Sequence, residues 1–390
     1  MSRDRQLHVL LAGGGSGGHV FPALAVGEEL RVRGHRVSFA GSARGIEARL
    51  VPERGVEFHA LRSRPMTGRG PVGKALAVAT LLVAGLAAAR LVRRLAVDAV
   101  VGTGGYASAP AILGAVLVRR PALLVEPNAR PGFANRQLSR WAAGAAVAFP
   151  QTGRELACPS RVSGVPVREA FFRVAPEPAG DRHHLLVLGG SQGARSLNLA
   201  LPEALAAVVG RDGVPADLEV LHQTGAAHLE ETRAAYERAG LGAGPGAEPR
   251  SGAASCAAAP VRLEPFVDDM AGALAASHLV VSRAGAITLA EIAAAGRAAV
   301  LVPLSLAEGH QRDNALAFQA VGAARVVEAG PGAGPETLAP LLGRTLAGLL
   351  VDRDALAAMG RAARGLARPG AAAAIADWVE ELAGAGGRAA

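Results

Sequence analysis

An α/β protein of two doubly wound halves is the fold class this sequence predicts, and three observations predict it. A buried apolar strand, His8-Val-Leu-Leu-Ala12, runs into a glycine loop, Gly13-Gly-Gly-Ser-Gly-Gly18, and then a helical pattern. The same order restarts 176 residues later (Gly13 to Gly189), where His184-Leu-Leu-Val-Leu-Gly189 opens onto Gly189-Gly-Ser-Gln-Gly-Ala194. Between and after these openings, short apolar strands alternate with helical stretches, the pattern of parallel sheets covered on both faces. A length of 390 residues suits two domains of ordinary size.

In order, the first half reads as a strand at His8–Ala12 and a helix over Phe21–Arg33 with Pro22 in its first turn. A strand at Arg36–Ala40, a helix at Ile46–Arg54 and a strand at Val56–Leu61 follow. A long helical stretch, Val72–Ala96, leads into strands Ala99–Gly102 and Ala122–Glu126. The second half has a strand at His184–Gly189 and a helix over Ser196–Val209. Its further strands fall at Leu218–His222, Val261–Glu264, Leu279–Ser282 and Ala298–Pro303. Turn chemistry at Ser163–Pro166 sets the boundary, giving domains of 1–165 and 166–368 and a C-terminal helical segment, 369–390, packing back on the first domain. Gly240–Pro260, rich in Gly, Ala, Ser and Pro, reads as a mobile surface loop.

Composition narrows the function. Of 41 basic residues only Lys74 is lysine, and the net charge of +8 is spread along the chain. No block of five or six basic residues and no aromatic stripe is present, so nucleic acid is not an expected partner. Cys158 and Cys256 read as two free thiols in a reducing compartment, and no N-terminal run is long enough for a signal peptide. Ala75–Ala89 lacks charge but falls short of the roughly 20 apolar residues of a membrane span.

Gly13, Gly15 and Gly18 fit the phosphate-binding fingerprint, in which glycines let backbone N–H groups approach an anion at a helix start. A nicotinamide enzyme would carry an acidic residue at the end of the next strand, but Ser38-Phe-Ala-Gly-Ser42 has none. His19 stands at the helix start, where the dipole disfavours imidazolium. It is a candidate proton acceptor, against a capping or packing histidine. Gly104-Gly-Tyr-Ala-Ser108 and Glu126-Pro-Asn-Ala129 both follow strands, at the edge where such sheets bind ligands, and Glu126 is a second candidate acceptor or an ordinary turn acid. Thr288 and Glu291 have capping-box spacing, yet a carboxylate there also suits a ribose diol. Glu308-Gly-His-Gln311 and Asn314 form a polar cluster. Asp352-Arg-Asp354 has the spacing of some sugar-nucleotide metal sites, but no metal site is expected.

Taken together, GGGSGGHVFPALAV, GTGGYASAP, EPNARPGFANR, GVPVR, GGSQGARSLN, EPFVDDM, SRAGAITLAEIAAAGRAAVLVPL and HQRDNA closely resemble the MurG family, within glycosyltransferase family 28. The match covers nearly the whole chain in order. The resemblance implies a GT-B fold, two Rossmann-like domains facing across a cleft. It implies inverting transfer of GlcNAc from UDP-GlcNAc to lipid I, giving lipid II, with no cofactor and no bound metal in the transfer step. Donor-binding positions carry over onto Ser16, Gly17, Gly18, Asn128, Arg168, Ser191, Val267, Ala286, Ile287, Thr288, Leu289, Ala290, Glu291 and Gln311. In such enzymes uracil lies against the Val267 segment, Glu291 takes the ribose hydroxyls and Gln311 meets the sugar. His19 and Glu126 remain the two catalytic candidates.

The chain departs from the family in three places. Val125-Glu-Pro-Asn128 stands where His-Glu-Gln-Asn is usual, which removes one candidate acceptor. His310 replaces a common glutamine, and the Gly240–Pro260 loop is longer than expected. The acceptor's polyprenyl tail implies a peripheral protein on the cytoplasmic face of the inner membrane, with an anionic bilayer surface and other cell-wall synthesis proteins as partners. Val72–Ala96 is the expected anchor, through Leu76, Leu81, Leu82, Val83 and Leu86 followed by Arg90, Arg93 and Arg94. The competing expectation is a helix whose apolar side is buried in the first domain's core.

Overall fold

A computed structural model describes residues 5–63, 70–178, 182–190, 192–209, 217–242, 260–304, 309–330 and 332–386. The chain forms two compact units, Met1–Arg168 with Gly370–Ala390, and Glu169–Pro369. Cys256 and most of the Gly240–Pro260 loop lie outside the described residues.

The first unit runs β1 (His8–Ala12), α1 (Gly17–Val32), β2 (Arg36–Gly41), α2 (Glu47–Glu53), β3 (Glu57–Ala60), α3 (Pro71–Arg94), β4 (Ala99–Gly102), α4 (Ala109–Leu117), β5 (Ala122–Glu126), α5 (Phe133–Leu138), β6 (Gly144–Val147), α6 (Pro150–Gly153) and β7 (Ser160–Val162). Its seven strands pair in parallel in the order β3-β2-β1-β4-β5-β6-β7. The order reverses between β1 and β4, the point at whose carboxyl edge sheets of this kind bind ligands.

Alternation along β1 explains its two covers. Val9 and Leu11 pack with Val20, Leu24 and Leu30 of α1, and with Ile375 and Val379 near the C-terminus. Leu10 and Ala12 face the other way, onto Leu91 and Val92 of α3 and Ile112 of α4. Helix α3 is divided along its length. Ala84, Ala88, Leu91 and Val92 are buried, while Leu76, Val78, Leu82, Val83 and Leu86 are exposed.

The second unit runs α7 (Glu169–Phe172), β8 (His184–Leu188), α8 (Arg195–Ala206), β9 (Glu219–Gln223), α9 (Leu229–Arg238), β10 (Val261–Glu264), α10 (Met270–Ala276), β11 (Leu279–Ser282), α11 (Ala286–Ala295), β12 (Ala298–Leu301), α12 (His310–Ala320), β13 (Ala324–Val326), α13 (Pro335–Leu350) and α14 (Arg353–Leu366). Its six parallel strands lie in the order β10-β9-β8-β11-β12-β13, again reversing beside the strand that opens the unit. Leu185 and Val187 of β8 pack with Leu197 and Leu201 of α8 and with Leu342 and Leu346 of α13. Helix α15 (Ala371–Gly386) belongs to the first unit, where Arg33, at the C-terminal cap of α1, donates to Asp377 at 2.6 Å and to Glu380 at 3.1 Å.

Four elements differ from the sequence expectation in an informative way. Helix α1 starts at Gly17, four residues before Phe21, because extended Ser16 caps it with its carbonyl, which accepts from the His19 and Val20 amides at 3.1 and 3.3 Å. Pro22 therefore lies in the second turn, and it has no N–H to return to the Gly18 carbonyl. Strands β6, β7 and β13 fall outside the strands that the sequence predicts.

Candidate functional site

In the first unit, the loop after β1 and the loop after β4 meet at the reversal point. His19, half-buried in the first turn of α1, has Nδ1 2.9 Å from the Thr103 carbonyl. A carbonyl only accepts, so Nδ1 carries the hydrogen in this contact. Thr103 is fully buried, and its hydroxyl donates to the His19 carbonyl at 2.6 Å. Gly105 completes the junction. It sits at φ +74°, and a Cβ there would lie 2.6 Å from the Gly14 carbonyl and 3.1 Å from the His19 ring. Ser16 is exposed, while Gly17 and Gly18 are half-buried. Their amides belong to the first turn, where no helical carbonyl is available to them.

Glu126 ends β5 as a buried carboxylate with both oxygens engaged. Oε1 accepts from the Asn128 backbone at 3.1 Å and its side-chain amide at 2.8 Å. Oε2 accepts from the Gly132 N–H at 2.8 Å and Asn135 Nδ2 at 2.9 Å. A carboxylate offers about four lone-pair directions, and these four donors use them. Asn135 is a residue the sequence reading did not single out. Its amide also donates to the Val125 carbonyl at 3.1 Å. Arg168 is exposed at the end of the first unit.

In the second unit, β8 likewise leads through glycines into a helix. Gly193 sits at φ +78°, and a Cβ there would overlap the Thr224 carbonyl, so any side chain would collide with backbone. Ser191 lies outside the described residues. Gln223, which the sequence reading also missed, spans the site. Its Nε2 donates to the Gly190 carbonyl and its Oε1 accepts from the Val267 N–H, both at 3.0 Å. Asn198 of α8 donates to the Thr224 carbonyl at 2.8 Å and meets His222, whose pKa burial pushes down to about 3.

The loop after β11 carries Arg283, whose guanidinium donates to Ser196 Oγ at 2.5 Å and to the Val302 carbonyl at 2.9 Å. Burial lowers its pKa. Helix α11 begins at Ala286 on an extended Gly285. Thr288 is thus the third helical residue and Glu291 the sixth, half-buried in the second turn. The capping box that their spacing suggests does not form, because Gly285 takes the cap position. Gln311 Oε1 accepts from the Leu304 N–H at 3.0 Å, which fixes the amide with its NH₂ end as donor. Asn314 ties α12 to the Ala284 carbonyl at 3.2 Å, and Glu308 lies outside the described residues. Asp352 caps α14 by accepting from the Ala355 N–H at 2.8 Å, which accounts for the Asp352–Asp354 spacing.

Each unit is therefore a doubly wound sheet whose glycine loop presents a helix start at its carboxyl edge, the construction of proteins that hold phosphorylated ligands. Residues 9–147 match the glycosyltransferase family 28 N-terminal domain and residues 184–364 the glycosyltransferase family 28 C-terminal domain. The chain belongs to glycosyltransferase family 28, and its fold is of the GT-B class.

It is 39% identical over 381 residues to a UDP-N-acetylglucosamine–N-acetylmuramyl-(pentapeptide) pyrophosphoryl-undecaprenol N-acetylglucosamine transferase of Solibacter usitatus, covering 96% of each chain. It is 43% identical over 390 residues to the transferase of that name from Halorhodospira halophila, covering 96% of this chain and 98% of the other. The crystal structure of Acinetobacter baumannii MurG superposes with a TM-score of 0.75 at 32% identity, covering 97% of this chain and 100% of that one. A UDP-N-acetylglucosamine 2-epimerase from Listeria monocytogenes, described as putative, has a TM-score of 0.61 at 14% identity, which shows a shared fold alone.

Proposed function

We propose that this chain transfers N-acetylglucosamine from UDP-GlcNAc to the MurNAc 4-hydroxyl of undecaprenyl-pyrophosphoryl-MurNAc-pentapeptide (lipid I), with inversion, releasing lipid II and UDP. Near full-length identity of 39–43% to transferases of that name carries the reading. Residues 166–368 take the donor and 1–165 the acceptor, with the 369–390 segment completing the acceptor domain. In the proposed step the acceptor oxygen bonds to the donor's anomeric carbon as the bond to UDP breaks, and the hydroxyl proton passes to His19 Nε2. Glu126, with four donors on its carboxylate, holds the 127–132 loop instead.

Charge grows on the departing diphosphate and must be met by fixed donors. The starts of α8 and α11 supply amides, and Ser191 and Arg168 take their family roles. Glu291 binds the ribose hydroxyls, Val267 lies beside uracil and Gln311 donates to the sugar. The remaining donor positions are Ser16, Gly17, Gly18, Asn128 and Ala286 to Ala290. Incubation with labelled UDP-GlcNAc and a lipid I analogue should yield labelled lipid II. Tight UDP-GlcNAc binding without product would mark a nucleotide-binding module, and a C2 epimer formed without acceptor would mark an epimerase.

The same reading makes the protein peripheral on the cytoplasmic face of the inner membrane, beside other cell-wall synthesis proteins. No helix among the described residues is long and apolar enough to cross a membrane. Leu82, Val83 and Leu86 of α3 are exposed at 56%, 65% and 52%, one turn before Arg90, Arg93 and Arg94. Basic residues near an anionic surface contribute about 1 kcal/mol each, so changing all three to Gln should weaken vesicle binding about 10²-fold. Cosedimentation with phosphatidylglycerol vesicles at low salt measures this. Equal binding by the two proteins would exclude α3 as the anchor.

A further inference from the structure

One carboxylate outside the expected site lies directly beneath it. Glu47, the first residue of α2, has no exposed surface. It accepts the Gly15 N–H on Oε2 at 3.2 Å and the Ser42 N–H on Oε1 at 2.9 Å, joining the loop after β1 to the loop after β2. Three glycines leave room for it. A Cβ on Gly14 or Gly45 would overlap the carboxylate, and one on Gly41 would meet Glu47 Cγ at 2.6 Å.

Among the described residues no lysine, arginine or histidine pairs with this charge, and only the two amides and the start of α2 offset its burial. A buried charge is a costly way to fill space. A glutamine of the same size would avoid that cost, but it has one accepting end and one donating end, and only a carboxylate can accept from both loops at once. The second acceptor oxygen is what the charge adds.

We propose that Glu47 is a positioning residue for the transfer reaction. By taking the Gly15 amide it fixes the 13–16 loop and removes that N–H from the set open to a ligand. The amides of Gly17 and Gly18, at the start of the helix that carries His19, remain as donors at this edge. Its negative charge beneath Gly14 and Gly15 also disfavours an anion there, which leaves the helix start as the place for a diphosphate. The inference rests on assigning the acceptor to the first unit.

The test uses full-length Glu47→Gln and Glu47→Ala, with steady-state kinetics varied in each substrate, thermal unfolding, and amide hydrogen exchange of residues 13–18. Glu47→Gln should unfold near the wild-type temperature. It should lose about ten-fold or more in acceptor kcat/KM, the scale of one charge-assisted hydrogen bond, with faster exchange in the loop. Glu47→Ala should lose more. Unchanged acceptor kinetics and unchanged exchange in folded Glu47→Gln would overturn the proposal. A parallel loss in both substrates together with a collapsed unfolding temperature would also overturn it, marking Glu47 as structural only. Faster loop exchange with a loss confined to the donor would instead overturn the acceptor assignment of the first unit.

Discussion

Replacing His19 by alanine is expected to lower kcat by about 10²-fold or more, the usual contribution of a positioned general base. Donor KM should change much less. The tautomer gives the reason. With Nδ1–H donated to the Thr103 carbonyl at 2.9 Å, a proton taken up by the ring goes to Nε2. Glu126→Ala should behave differently, because it strands four donors in a buried loop, and its first effect should be a lower unfolding temperature. Transfer of labelled GlcNAc at saturating donor, beside thermal unfolding, separates the two. A folded Glu126→Ala protein with abolished turnover, alongside a normally active His19→Ala, would reverse the assignments.

Glu291→Ala should raise donor KM about 10- to 150-fold, the range for losing one hydrogen bond to a charged group worth about 1.5–3 kcal/mol. The side chain is half-buried in the second turn of α11, past the cap, so the helix does not need it to start. Stability should be nearly unchanged for that reason, and Glu291→Gln, which keeps one acceptor oxygen, should fall between the two. Donor titration by calorimetry together with kinetics gives the number. Wild-type donor affinity in Glu291→Ala would remove this carboxylate from the nucleotide site.

The sequence showed those parts of the fold that are buried on both sides. Central strands such as β4, β8 and β11 are continuous apolar runs because helices cover both faces of the sheet. β6 is Gly-Ala-Ala-Val, too small in side chain to stand out. β7 is a three-residue edge strand with every residue exposed, and β13 is equally short. Local pattern misled twice, at Gly17, where a low helix propensity hid the true start of α1, and at Thr288–Glu291, where capping-box spacing fell inside a helix already begun.

The site divides in the same way. Glycine loops are legible because backbone needs are written locally in residue type. Glu47 and Gln223 are not, since their roles come from groups far along the chain, and Asn135 meets its partners only through the turn nine and ten residues back. Gln223 joins residues 190 and 267, and Glu47 reaches back to residue 15. No spacing rule encodes such pairs.

Helix α15 gives the two units unequal histories during synthesis. Glu169–Pro369 is one continuous stretch and can mature as soon as it leaves the ribosome. The first unit cannot, because Ile375, Trp378 and Val379 close the face formed by Val9 and Leu11, with Trp378 seated against Gly144. At about 5–20 residues per second, that face waits roughly 10 to 40 s for its cover. Through that interval the nascent first unit presents apolar surface that chaperones can recognise, and its completion waits for α15.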